Sequence, residues 1–344
     1  MPAAHPTRLT ALHPTWAIEG GRIDILGSDF PIDGPCLPEV RVGEVPARVV
    51  FASTTRVAAL VPAGLEAGAV PVRIEGIAGE TAFLEVGAPF ATGLHQVDNP
   101  AFDRDGNLYV TYSGSRGERV PVSIFRVRRD GTREAFVSGI INPTSMVFDR
   151  AGDLYVSSRF EGQVYRIKPD GRTELAASDL GVACGLAFGA EGTLFVGDRS
   201  GTIFRLGPTG KALPFATLPA SVAAFHLAFG PDGGLYVTAP TLSSYDRVYR
   251  IDSGGRVEVV YSGFGRPQGL AFDAQGALYV VEALAGGSGV YRLRADGAPE
   301  IVLAGPGLIG LAFDPVKGLV VTSNDTAYRL DAAVRAVDNR SVTP

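Results

Sequence analysis

The sequence contains few of the residues that build disulfide-rich, zinc-binding or membrane proteins. Among its 344 residues are only two cysteines, two methionines, one tryptophan and four histidines. Two cysteines do not make a disulfide framework, and no cysteine or histidine cluster has the spacing of a zinc site. No apolar run reaches the roughly 18 residues that cross a bilayer, and the first residues lack the apolar core of a secretory signal. These absences predict a cytoplasmic protein that does not bind membranes.

An excess of positive charge is also missing. The formal net charge is −5. Residues 1–87 contain 6 basic and 10 acidic side chains, and residues 88–344 contain 25 basic and 26 acidic ones. Binding to a phosphate backbone requires a basic face, so a nucleic-acid partner is not expected. The segment "GPTGKAL" around Lys211 lacks the spacing of a phosphate-binding loop, and no nucleotide cofactor is expected.

Glycine and proline, in contrast, are abundant, with 44 and 24 copies. No long segment carries apolar residues at helical spacing, and short apolar runs are bounded by turn residues. This pattern predicts an all-β chain of many short strands joined by tight turns.

One short unit, "GLAFDAQGALYV" at 269–280, has five relatives elsewhere in the chain. Its first aromatic recurs at a period of 40 to 46 residues, at Phe102, Phe148, Phe188, Phe229, Phe272 and Phe313. Each copy continues into a third strand such as "QVYRI" and a fourth apolar piece such as "VEVVYSG", which makes one period a four-stranded antiparallel meander. A meander this small cannot cover its own apolar faces, and the period is that of a propeller blade. The sequence therefore predicts a six-bladed β-propeller over residues 88–344.

Closure of this ring requires an outer strand for the last blade. The stretch "PFAT" at 89–92 repeats the letters of an outer strand at 214–217. Because an open blade would expose a sheet edge, we expect residues 89–92 to complete the last blade. The alternative is that residues 334–337 take this place.

Residues 1–87 do not repeat, and they alternate apolar and polar residues between proline and glycine turns. Such alternation is typical of a small antiparallel sandwich. The motifs "HPTWAIEGGRIDILGSDF", "VRVGEVPARVV" and "ALVPAGLEAG" resemble the IPT/TIG immunoglobulin-like family. The resemblance implies an N-terminal immunoglobulin-like β-sandwich, through which the chain would contact a protein partner.

The candidate site follows from the geometry of a propeller. Loops before the inner strands and after the second strands emerge around one mouth of the central channel, where ligand sites are expected. Turns on the other face recur in nearly every blade and are explained by turn geometry. The mouth residues that differ between blades include Asp98, Asn142, Cys184, His226, Arg266 and Gln268 before the inner strands, and Tyr112, Arg159, Asp198, Arg199, Glu282 and Asn324 after the second strands.

Over residues 88–344 the repeats resemble NHL-like and gluconolactonase (regucalcin-like) propellers. The resemblance implies a lactonase or esterase type of hydrolase with a small-molecule substrate and one divalent cation, usually calcium. Such a cation prefers oxygen ligands, polarises a carbonyl and activates water. At the positions where that family has cation ligands, this chain has Asp98 and Gln268, but also Cys184 and Phe225 where asparagine is expected.

The hydrolase hypothesis assigns a role to each candidate. The metal ligands would be Asp98, Asn142 and Glu282. Acid–base catalysis would use Glu282, Asp198 and His226. The substrate would be bound by Arg159, Arg199, Gln268, Tyr112 and Asn324.

Other interpretations stay open. "GALYVVEA" resembles streptogramin-lyase-like propellers, with Glu282 at their acidic position, and this implies a lyase. A propeller is equally suited to noncatalytic binding of a ligand or protein. The candidates also have structural interpretations: Cys184 as a small buried hydrophobe, His226 as a core histidine, and Asp198 as the partner of Arg199 or the cap of a turn.

Overall fold

The structure is a computed structural model that describes residues 8–32, 37–77, 81–207, 210–294, 297–314 and 318–330. Cys36 and the alternative closing segment 334–337 lie outside the described residues. Every regular element in the described ranges is a β-strand, which confirms the prediction of an all-β chain. In these ranges there is no helix of the length and apolarity needed to cross a bilayer.

The first part of the chain forms eight strands around one core. They are β1 (Arg8–His13), β2 (Trp16–Ala17), β3 (Arg22–Ser28), β4 (Val40–Val42), β5 (Val45–Ala52), β6 (Arg56–Leu60), β7 (Gly68–Ile74) and β8 (Ala82–Val86). Alternate residues are buried in β3, β4, β7 and β8, as expected for strands with one covered face. Ile25, Val57, Val72 and Leu84, from four different strands, pack in the same cluster.

Five of the repeats form separate four-stranded sheets, each in the order of a meander. Four of them are β10 (Ala101–Phe102), β11 (Leu108–Thr111), β12 (Ile124–Val127) and β13 (Arg133–Val137); β14 (Pro143–Phe148), β15 (Leu154–Ser158), β16 (Gln163–Ile167) and β17 (Thr173–Ala177); β18 (Ala183–Phe188), β19 (Leu194–Asp198), β20 (Thr202–Leu206) and β21 (Ala212–Thr217); and β22 (His226–Phe229), β23 (Leu235–Thr238), β24 (Asp246–Ile251) and β25 (Val257–Phe264). The fifth sheet combines β30 (Leu308–Phe313), β31 (Leu319–Ser323) and β32 (Thr326–Leu330) with β9 (Ala88–Thr92). The arrangement is a β-propeller.

The remaining repeat differs from the prediction of six separate blades. Its strands, β26 (Pro267–Phe272), β27 (Leu278–Glu282), β28 (Gly289–Leu293) and β29 (Pro299–Ala304), pair in the same order but belong to a twelve-stranded sheet. That sheet continues from β29 through β2 into the N-terminal strands. Five discrete blades are therefore found, and the two-residue strand β2 joins the remaining repeat to the N-terminal strands in one sheet.

Strand β2 makes this bridge by parallel pairing on both sides. Trp16 pairs with Glu85 of β8 and with Leu303 of β29. Ile18, the residue that follows β2, donates its amide to the Ala304 carbonyl at 3.0 Å and is 1% exposed. Its side chain lies against Gly87 and Gly305, where any Cβ would crowd it. The N-terminal strands and the propeller are thus joined by both hydrogen bonds and apolar packing.

The repeated aromatics pack between neighbouring repeats. Tyr109 meets Phe148 edge to face with ring centroids 5.1 Å apart, and Tyr155 meets Phe188 at the same separation. Three further junctions have the same contact, namely Phe195 with Phe229, Tyr236 with Phe272 and Tyr279 with Phe313. Edge-to-face pairs are favourable beyond the area they bury. The seven-residue spacing therefore gives the same contact at the five junctions from the first repeat to the sixth; the sixth copy has Val320 at the second aromatic position.

The last sheet takes its outer strand from the start of the repeat region. Strand β9 pairs antiparallel with β32, Thr92 opposite Thr326 and Ala88 opposite Arg329. The Arg329 guanidinium lies over the Phe90 ring, 3.5 Å from its centroid. The chain then leaves this outer edge and runs through residues 93–100 to the first inner strand.

Replacement of Ile18 by alanine tests the junction. We expect a loss of about 2–5 kcal/mol in unfolding free energy, because the side chain is fully buried between the two parts. Val50→Ala is the control, since Val50 is 41% exposed, and it should cost under about 1 kcal/mol. Chemical denaturation measures both, and an Ile18→Ala midpoint equal to that of the control would contradict the described packing.

Candidate functional site

Asn99 holds the inner strands of the fifth and sixth repeats together. The Asn99 amide donates from Nδ2 to the Leu270 carbonyl at 2.8 Å and accepts at Oδ1 from the Leu311 amide at 3.0 Å. A Cβ on Gly269 would lie 2.1 Å from Asn99 Oδ1. The glycine of the repeated unit is therefore required here by close approach of this asparagine.

The neighbouring Asp98 connects three predicted site residues. Its Oδ1 accepts the Asn99 amide at 2.7 Å and lies 2.5 Å from Nδ1 of His226. The other ring nitrogen of His226, Nε2, lies 3.3 Å from Oε1 of Gln268. All three side chains are buried, and His226 has no exposed surface. The fold thus brings Asp98, His226 and Gln268, from three different repeats, into one hydrogen-bonded group.

A cavity of about 430 Å³ lies at the channel mouth above this group. All six repeats contribute to its wall, which agrees with the register analysis. Its polar lining consists of Arg159, Arg199, Arg266, Cys184 and Gln268. The rest of the wall is glycine and apolar side chains, namely Val97, Val222, Ala223, Ala224, Ala283, Gly307, Leu308 and Ile309. The volume is within the roughly 300–1,000 Å³ typical of small-molecule pockets.

The three arginines of this cavity differ from those on the blades. Arg166, Arg250 and Arg292 occupy equivalent positions in third strands, and each bonds a carboxylate. Within the described part of the chain, neither a salt bridge nor a side-chain hydrogen bond neutralises Arg159, Arg199 or Arg266.

Arg159 is half-buried, and its burial lowers the pKa of its guanidinium; the charge of Arg199 acts in the same direction. The mouth therefore concentrates positive charge that pairs with no carboxylate among the described residues.

Two predicted catalytic carboxylates are engaged by backbone groups. Glu282 accepts three amides, from Gly265 at 2.6 Å, Arg266 at 2.9 Å and Leu284 at 2.7 Å. Asp198 accepts the Val182 amide at 2.8 Å and the Ser200 hydroxyl. Each carboxylate fixes the loop beside it, which is the turn-capping interpretation of Asp198. Among the described residues Asp198 does not pair with Arg199.

Asn142, a predicted metal ligand, is also fully engaged. Its backbone φ is 49°, and its amide donates to the carbonyls of Ser113 and Ser115 at 2.5 and 2.8 Å. Its Oδ1 accepts the Gly117 amide at 2.7 Å. Asn142 therefore orders the loop of residues 113–117 through hydrogen bonds to its backbone.

These contacts do not fit the calcium site that the family resemblance implies. The oxygens of Asn142 and Glu282 already accept hydrogen bonds in separate loops, and one oxygen of Asp98 is taken by His226. In the described ranges, no three His, Cys, Asp or Glu side chains lie close enough together to hold a metal ion. We derive no step through a cation.

The remaining predicted substrate contacts lie outside the cavity wall. Tyr112 is half-buried with its ring edge-on to His95, at a centroid distance of 6.1 Å. Burial, followed by the charge of Arg159, lowers the pKa of His95. Asn324 is exposed, and its carbonyl accepts the amide of Gln96 at 2.9 Å.

Gln96 is a further part of the site that sequence reasoning missed. It is fully buried, donates from Nε2 to the Asp98 carbonyl at 2.7 Å and accepts the Thr111 amide at 2.8 Å. It thus fixes the backbone that presents Asp98. Its only signal in the sequence is its position between the closing strand and the first inner strand.

Comparison with known proteins gives structural neighbours only. No protein-family model matches the sequence, and no curated protein matches it. A candidate gluconolactonase superposes with a TM-score of 0.58 at 19% identity, covering 71% of this chain and 91% of that one. A virginiamycin B lyase from Staphylococcus aureus, bound to quinupristin, gives 0.52 at 15% identity, covering 86% and 96%. An auxiliary nutrient binding protein from Bacteroides ovatus gives 0.54 at 15% identity, covering 94% and 98%. At these identities the likeness shows the fold alone.

The thiol of Cys184 should be unreactive in the native protein. It is 1% exposed, and burial raises its pKa to about 12. A Cys36→Ser variant isolates it, and we expect its reaction with a disulfide reagent at pH 8 to be on the order of a thousandfold slower than after unfolding. Labelling of native protein at the rate of a free thiol would contradict this burial.

Proposed function

We propose that this protein binds a small organic anion at the mouth of its propeller. The observation that carries the proposal is the set of three arginines, Arg159, Arg199 and Arg266, that line one cavity of about 430 Å³ and form no salt bridge with any described residue. Arg159 is half-buried, and a partly buried cation without a partner is unfavourable. Arg199 and Arg266 are exposed at the rim, and all three guanidinium groups could give charge-assisted hydrogen bonds to a carboxylate or phosphate. Nutrient binding by a structural neighbour is consistent with a binding role.

We also propose that the repeat β26–β29 functions as a sixth blade. Support comes from its strand order and from the aromatic contacts of Phe272 with Tyr236 and of Tyr279 with Phe313 on its two sides. The N-terminal strands would then be the immunoglobulin-like module of the IPT/TIG resemblance, attached at the outer edge of that blade by β2. A protein partner for this module and a cytoplasmic location stay predictions.

Glutamine substitutions at the three arginines test the binding proposal. Each should weaken binding of a carboxylate probe by about 10- to 100-fold, because a hydrogen bond to a charged group contributes about 1.5–3 kcal/mol. Arg205→Gln is the control, since Arg205 is exposed on β20, away from the cavity. Isothermal titration at low ionic strength gives the affinities. Equal affinities for the control and all three variants would rule out the arginine site.

A second candidate function is hydrolysis or lyase chemistry with His226 as the base. Asp98 on Nδ1 orients the ring, as in other histidine–carboxylate pairs, and Nε2 points to Gln268 on the cavity wall. The structural neighbours include a gluconolactonase candidate and a lyase. Since His226 is completely buried, the Gln268 side chain must move before Nε2 can take a proton from a substrate or water.

A screen of lactones and aryl esters tests this candidate with His226→Gln and Asp98→Asn. If His226 is the base, both variants should lower kcat by at least about 100-fold while leaving binding of a carboxylate probe within a few-fold. Thermal unfolding checks that both variants are folded. An unchanged kcat in folded His226→Gln, or the absence of turnover by the native protein on every substrate, would leave binding as the function.

A further inference from the structure

The wall of the mouth cavity has a positively charged part, formed by the three arginines, and an apolar part. Among the described residues of its lining, the arginines are the only charged side chains, and Gln268 is the only uncharged polar side chain besides the buried thiol of Cys184. The remainder is apolar. A ligand rich in hydroxyl groups, such as a sugar acid, would leave most of its polar groups without partners on this wall, which is costly.

Part of the apolar wall has no role in the protein core. Val222 is 42% exposed, and Val97 and Ile309 are half-buried. None of the three belongs to a hydrophobic cluster of the described residues. Their apolar surface is therefore available to a ligand, and its burial would favour binding by about 25 cal/mol per Å².

Apolar surface also continues outward from this wall. The Val222 amide donates to the Pro240 carbonyl at 2.9 Å, which places the loop of 240–245 beside the cavity. That loop carries Leu242 and Tyr245, which are 92% and 71% exposed. On the next repeat Leu284, 50% exposed, follows the wall residue Ala283. A ligand longer than the cavity would find further apolar contacts at its rim.

We infer that the ligand is an amphipathic organic anion, with a carboxylate or similar group on the arginines and an aliphatic or aromatic body on the apolar wall. This inference rests on the proposed function, because it concerns the same cavity. It narrows the ligand class by excluding inorganic anions and sugar acids as the preferred ligands.

Straight-chain carboxylates from acetate to octanoate are the probes for this inference. Affinity should rise by about fourfold for each added methylene until the wall is covered, since burial of a methylene contributes a factor of that size. Gluconate should bind more weakly than hexanoate. Uncharged 1-octanol should bind more weakly than octanoate, which separates the site from general apolar adsorption.

The double variant Val97→Thr with Val222→Thr keeps the shape of the wall and makes it polar. It should lower octanoate affinity by about tenfold and leave acetate affinity unchanged. Val50→Thr, at an exposed valine of the N-terminal strands, is the matched control and should leave octanoate affinity unchanged.

The possible results distinguish the amphipathic ligand from the anion-binding function on which it rests. Equal affinities for acetate and octanoate, both lost in Arg199→Gln, would overturn the amphipathic ligand and keep the anion site. Absence of binding for every carboxylate, or octanoate binding that ignores the arginine substitutions, would overturn both. Octanoate affinity unchanged in the folded double variant would also overturn the amphipathic ligand.

Discussion

The pairing of β9 with β32 is the constraint on which the site depends. It holds residues 88–92 at the outer edge of the last sheet, so the chain must cross from that edge to the axis before the first inner strand. Within this crossing segment, Gln96 accepts a hydrogen bond from β11, and Asn99 accepts one from β30. Asp98, between them, contacts His226. Closure of the ring and assembly of the buried polar group therefore depend on the same segment, residues 88–99.

Among the described residues at the mouth, the carboxylates are engaged by groups of the protein, whereas the arginines are not. Glu282 and Asp198 accept backbone amides in their own loops, and Asp98 faces His226 below the cavity. No carboxylate of the described residues lies within salt-bridge distance of the Arg159 or Arg199 guanidinium. The cavity consequently combines uncompensated positive charge with an apolar wall, a combination that suits an external anion better than a resident cation.

Much of the ring was predictable from the recurring aromatics. Tyr109 of the first repeat, for example, packs against Phe148 of the second. The register also placed Asp98 and His226, 128 residues apart, at the same mouth. Other features carry no sequence signal. Strand β2 is only two residues long, and the partners of Glu282 are backbone amides, which every residue but proline possesses. The calcium expectation came from family resemblance, and local contacts such as those of Asn142 work against it.

The most direct test of the account is anomalous diffraction from a crystal of the native protein soaked in bromide at low ionic strength. If the mouth is an anion site, we expect a strong bromide peak there, within contact distance of the guanidinium groups of Arg159, Arg199 or Arg266. A map with bromide peaks only on other surfaces, and with these guanidinium groups paired to protein carboxylates, would contradict it.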